Sequence, residues 1–187
     1  MRSKSKQTTN FSATMITKRE GDFKANARGF WSVTCYDKQG NLKWTDNFEN
    51  LVLNEGLDYL LDVGFHGGSQ INPWYVGLLA ANPVVLPAWT DAEISDNDFT
   101  DYDEATLPAY NESAVSGQSI TNSSNKATFT ISQNGSSVGG CFLISTDAKA
   151  PSGTVYCAGA FGTGNKSCDD GDTLQVVVTL TTADDGV

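Results

Sequence analysis

The stretch GFWSVTCYDKQGNLKWTDNFENLV, residues 29–52, decides the fold class. Trp31, Val33 and Cys35 alternate with Ser32, Thr34 and Tyr36, the period of two that places apolar side chains on one face of a strand. Asp37 to Asn41 is turn chemistry, with Gly40 where a left-handed backbone is needed. Leu42–Phe48 returns as a second strand, so residues 30–48 read as a β-hairpin.

The rhythm then changes. In NLVLNEGLDYLLDVGF, residues 50–65, Asn54 is placed to cap a helix, and Glu55 and Asp58 fall in its first turn, where the helix dipole favours acids. Leu57, Leu60 and Leu61 follow the spacing of one apolar stripe. Gly64 and the Gly67-Gly68 pair end the pattern. This predicts a single helix of about three turns that plugs one end of the β-structure. Burying its three Leu side chains would contribute about 5–9 kcal/mol before entropy.

Downstream, residues 73–80 form a short apolar strand, and residues 82–114 form a long acidic segment punctuated by proline. A loop of that length in a compact domain is usually functional. Its aromatic residues Trp89, Phe99, Tyr102 and Tyr110 are expected to be contact anchors for a partner. The last third is β-patterned throughout. Strands are expected over 118–122, 126–132, 138–145, 154–161 and 173–181, with Leu174, Val176, Val178 and Leu180 facing inward. With a further strand at Phe11–Thr17, the whole reads as all-β: an antiparallel β-sandwich, jelly-roll or immunoglobulin-like, with one short helix. Residues 1–28 form a basic N-terminal arm, and residues 29–187 form the domain.

The composition agrees. The chain has 187 residues, 39% of them hydrophobic and 18% charged, with 18 glycines. This suits one turn-rich β domain with a real core. No run approaches the length of a membrane-spanning helix. The N-terminus begins basic but lacks an apolar h-region, so no Sec signal peptide is expected.

The net charge of -10 is unevenly spread. Residues 1–43 carry nine Lys/Arg against three acids, whereas residues 44–125 carry thirteen acids and no Lys or Arg. An acidic body argues against direct nucleic-acid binding. The arm, through Lys4, Lys6, Lys18 and Arg19, could reach an acidic neighbour or simply be a solvated tail.

Chemistry-bearing patterns are weak. The separations of Cys35, Cys141, Cys157 and Cys168 fit no zinc signature. Cys35, Cys141 and Cys157 read as buried free thiols, and Cys168, in a polar loop, could reach Cys157. His66 is the only histidine and sits in a Gly-rich turn, so any triad or Cys-His pair would depend on it. The run from Gly159 to Ser167 resembles a phosphate-binding loop, but Asn165 separates Gly164 from Lys166 and a strand follows where a helix is required. The acids Asp91, Glu93, Asp96, Asp98, Asp101, Asp103 and Glu104 invite a calcium reading, yet Thr100, Asp101 and Leu107 break an EF-hand loop started at Asp96. The remaining choices are an irregular calcium site or a solvated acidic loop. No catalytic set and no cofactor are expected.

Two segments together carry a resemblance. One is the hairpin from Trp31 to Trp44 running into Asn50–Asp62. The other is Trp74-Tyr75-Val76-Gly77-Leu78, followed by Phe99-Thr100-Asp101-Tyr102, Ser116-Gly117-Gln118-Ser119 and Lys126-Ala127-Thr128-Phe129. Over about residues 29–181 the chain resembles a group of small structural proteins of tailed bacteriophage virions, associated with capsid decoration (cement) or other minor virion roles. The resemblance brings no catalytic residues. It implies a protein made in the host cytoplasm that binds the major capsid protein on the outer shell, as a homo-oligomer (dimer or trimer), without nucleic acid or membrane. A tail- or fibre-associated protein and a carbohydrate-binding β-sandwich module are the alternatives.

Overall fold

The computed structural model describes residues 26–183. The expected strand at Phe11–Thr17 and the arm residues Lys4, Lys6, Lys18 and Arg19 lie outside the described residues. The fold is all-β and mainly antiparallel, a curled sheet of nine strands with two short helices.

Strands β1 (Asn26–Tyr36) and β2 (Leu42–Val52) form the expected hairpin. Asp37 closes its turn by accepting from the backbone N–H groups of Gln39 (2.9 Å) and Asn41 (2.8 Å), and Gly40 has φ 82°. Trp31 opposes Phe48 across the hairpin, and their rings stack at 6.3 Å. On its other side β1 pairs along its whole length with β9 (Thr173–Ala183), from Asn26 opposite Ala183 to Tyr36 opposite Thr173. The inward positions Trp31, Val33, Cys35, Leu174, Val176 and Val178 are all buried, as the period of two requires.

The order across the sheet is β3-β6-β7-β2-β1-β9-β4. Strands β3 (Tyr75–Ala80), β6 (Ser136–Ile144) and β7 (Val155–Ala160) make one half, with β8 (Lys166–Cys168) on β6. The halves join through β2, whose Leu51 and Val52 pair with Ala158 and Cys157 of β7. Strands β4 (Ser119–Thr121) and β5 (Ala127–Thr130) pair with β9 at successive stretches, Thr179–Thr181 and Thr173–Val176.

Several expectations are corrected. The acidic segment contains a second helix, α2 (Asp91–Asn97), closed by a capping box between Thr90 and Glu93. The same segment runs along the outer edge of β3: Phe99 N–H donates to Leu78 C=O (2.8 Å), Val76 N–H to Pro108 C=O (2.9 Å) and Tyr110 N–H to Trp74 C=O (2.7 Å). An edge strand leaves unpaired backbone groups, and this segment satisfies them. Cys168 lies in β8 rather than in a loop. All four cysteines are free and buried, and the thiol neighbour of Cys168 is Cys35, not Cys157.

Helix α1 (Asn54–Leu61) forms where expected, but Leu53 occupies the cap position and Asn54 is already helical. The helix widens into a π-helical turn, Asp62–His66, and stops at Gly67, whose φ is 83°. Its apolar stripe is not buried: Leu57, Leu60 and Leu61 are all exposed. The face turned to the sheet is Gly56, Tyr59 and Val63. Gly56 explains the rotation, because a Cβ there would lie 2.2 Å from the carbonyl oxygen of Tyr156. Only glycine lets the helix approach β7 so closely. Leu53 N–H donating to Tyr156 C=O (3.1 Å) and Glu55 accepting from Val155 N–H (2.9 Å) fix that approach.

Candidate functional site

The aromatic anchors expected on the acidic segment are core residues. Trp89, Phe99, Tyr102 and Tyr110 are each buried. Tyr102 packs edge-on against Phe129 (5.0 Å) beneath the Lys149 ammonium, and Tyr110 Oη donates to Ile120 C=O (3.2 Å). Burial pushes both phenols well above their ordinary pKa. Their rings pack inward where the segment covers the β3 edge, while Val84 and Leu86 of the same segment stay exposed.

Several acids of the segment fasten it. Asp91 accepts from Gly153 N–H (2.9 Å), Asp101 from Gln133 (2.9 Å) and from the Ser136 hydroxyl (2.8 Å), and Glu104 from Thr130 N–H (3.1 Å). Among the described residues no three His, Cys, Asp or Glu side chains converge to hold a metal. The stretch resembling a phosphate loop serves an internal carboxylate. Gly162 N–H (3.0 Å), Thr163 N–H (3.3 Å), the Thr163 hydroxyl and the Lys166 ammonium (3.3 Å) all meet Asp46, which is buried. Burial alone would raise the Asp46 carboxyl. The hydrogen bonds from Thr163, Lys166 and Gly162 outweigh it and hold the group below the usual carboxylate range.

Two surface features remain around α1. The first is the rejected stripe. Leu57 and Leu61 recur at four-residue spacing, and Phe65 continues the series into the π turn at 89 % exposure, with Leu61 at 60 %. The second is a groove of about 430 Å3 behind the helix. Its helix wall is Tyr59, Leu60 and Val63, and its opposite wall is Ile120 of β4 with Leu180 to Thr182 of β9. Trp74 and Tyr156 line it between them. Tyr59 meets Trp74 edge-on at 5.1 Å, Trp74 meets Tyr156 at 5.6 Å, and Tyr59 Oη accepts from Ile71 N–H at 2.8 Å. Glu112 and the exposed Val115 stand at this groove.

Neither feature follows from reading the leucines as core. The signal is Gly56, three residues before Tyr59 and seven before Val63: a small residue leading a second, less apolar stripe.

The arrangement can bind. Apolar side chains exposed in series on a helix are what a protein partner covers, whereas scattered ones need no explanation. The chain matches no protein-family model, and comparison with curated proteins and with solved structures likewise gives no match.

Proposed function

We propose that this chain is a structural protein of a bacteriophage virion, a capsid decoration (cement) protein that binds the outer capsid surface and stabilises the head. The observation that carries the reading is the stripe Leu57, Leu61 and Phe65, held outward by the glycine contact at Gly56. A fold that turns its best apolar face to solvent has kept that face for a partner. The major capsid protein is the partner in this reading. The curled sheet is taken as a two-layered antiparallel β-sandwich, jelly-roll or immunoglobulin-like, and the chain as acting in a dimer or trimer. Such a module gains holding power when linked copies engage several capsid subunits at once, because the second contact becomes intramolecular.

Quantitative mass spectrometry of purified virions tests the reading. A capsid decoration protein is present in hundreds of copies, in proportion to the major capsid protein. A dozen copies or fewer would assign it to the tail or fibre instead. Absence from the particle would reject any virion role.

A further inference from the structure

The groove behind α1 lies beside the first residues of β1. Strand β1 opens with Asn26 opposite Ala183, Ala27 opposite Thr182 and Arg28 opposite Thr181. Thr181 and Thr182 form part of the groove wall. Strand β1 therefore begins at the edge of this cavity.

The segment preceding β1 in the sequence matches the groove in two respects. Its charge is opposite: residues 1–25 carry six Lys/Arg against two acids, whereas residues 26–183 carry 18 acids against six Lys/Arg. Glu112 stands at the groove, and Asp58 and Asp62 lie on the helix that walls it. Its apolar residues are also spaced for an extended strand, with Phe11, Ala13 and Met15 alternating with Ser12 and Thr14. The fifteen residue steps from Phe11 to Asn26 can span up to about 50 Å, so reach is not limiting, and Gly21 allows the chain to turn back.

We propose that residues 11–16 of the chain occupy this groove in the same molecule, with Phe11, Ala13 and Met15 against Tyr59, Val63, Ile120 and Leu180. Tethering favours the chain's own segment over that of a second copy, because a short linker holds it at high effective concentration. The docked segment covers the inner side of α1 and leaves Leu57, Leu61 and Phe65 free.

The test uses the full chain with p-benzoylphenylalanine in place of Phe11, irradiated as an equal mixture of ¹⁴N- and ¹⁵N-labelled protein. The proposal expects cross-links from position 11 to the peptides around Tyr59–Val63, Val115–Ile120 or Leu180–Thr182, which line the groove, within one isotopic species. Cross-links that join the two labels would show a second copy's segment in the groove and overturn it. So would cross-links that all fall elsewhere. Val115→Lys alters an exposed residue at the groove, so the fold is kept. It should lower the groove cross-link yield about threefold or more, because a cation is costly beside a docked apolar segment. An unchanged yield would also overturn the proposal.

Discussion

Asn122 completes the sheet for Val178. Its side-chain Oδ1 accepts the Val178 N–H at 2.7 Å, its own backbone N–H donates to Val178 C=O at 3.3 Å, and its Nδ2 donates to Val176 C=O at 3.2 Å. These contacts fall in the gap along β9 between the stretches paired to β4 and to β5. A fully buried polar side chain thus stands in for the missing rungs of a strand.

Asn122→Ala leaves the buried Val178 N–H without its partner and takes one donor from Val176 C=O. It should lower the unfolding free energy by about 2–4 kcal/mol. Urea denaturation would show a lower midpoint at an unchanged slope. A loss below about 0.5 kcal/mol would mean that water reaches the gap and that the amide is dispensable.

The two glycines of the helical segment should behave in opposite ways. Gly56→Ala forces a methyl group into the Tyr156 carbonyl and should cost about 2 kcal/mol or more. Gly64→Ala meets nothing within 4 Å and should be neutral or stabilising by up to about 1 kcal/mol. Thermal melts of the two variants check this. Equal effects would contradict the close helix–strand contact that turns the leucines outward.

Asp46 predicts an acid limb. Folding lowers its pKa, so its stabilising contribution is complete above about pH 4 and is lost as pH falls through the folded value. Asp98, whose carboxyl burial raises, acts in the opposite sense. The comparison is therefore with Asp46→Asn, which should flatten the stability profile below about pH 4. It should also cost about 3 kcal/mol at neutral pH, because the amide lacks the charge that pairs with Lys166 and the second oxygen that accepts from Thr163. An acid limb that survives this substitution unchanged would contradict the assignment.

The thiols should be silent in the native protein. Burial raises Cys141 and Cys157, while the Cys35 contact and then burial raise Cys168. A disulfide-exchange reagent should therefore titrate none of the four cysteines before unfolding and all four in denaturant. Fast native labelling would show that the core opens more readily than its packing implies.

What is legible in the sequence follows from short-range rhythm. The alternation of Trp31, Val33 and Cys35, and of Leu174, Val176 and Val178, places strands and their buried faces correctly because a period of two has only two faces to choose between. The helix is located by its pattern but turned the wrong way, because the leucine stripe outweighs Gly56, and a glycine announces close approach only once the approaching Tyr156 carbonyl is known. Trp89, Phe99, Tyr102 and Tyr110 read as exposed because their neighbours are acidic. That Asp91 and Glu104 face backbone donors of other segments, and that the β3 edge needs covering, are long-range facts. The role of Asn122 is of the same kind, since nothing local says that β4 and β5 share one partner strand.

The outward stripe gives a functional prediction that is separate from stability. Leu61→Ser and Phe65→Ser should each change the unfolding free energy by no more than about 0.5 kcal/mol, since both side chains are exposed. Together they should weaken binding to capsids by about tenfold or more in co-sedimentation, as removal of central apolar anchors does. Unaltered binding would move the contact surface away from α1.

The most direct measurement is a cryo-electron microscopy reconstruction of purified virions that contain the chain. The account predicts its density on the outer shell in numbers matching capsid symmetry, with the helix carrying Leu57, Leu61 and Phe65 against the major capsid protein. Density confined to the tail, or a shell-bound molecule with that helix facing solvent, would contradict it.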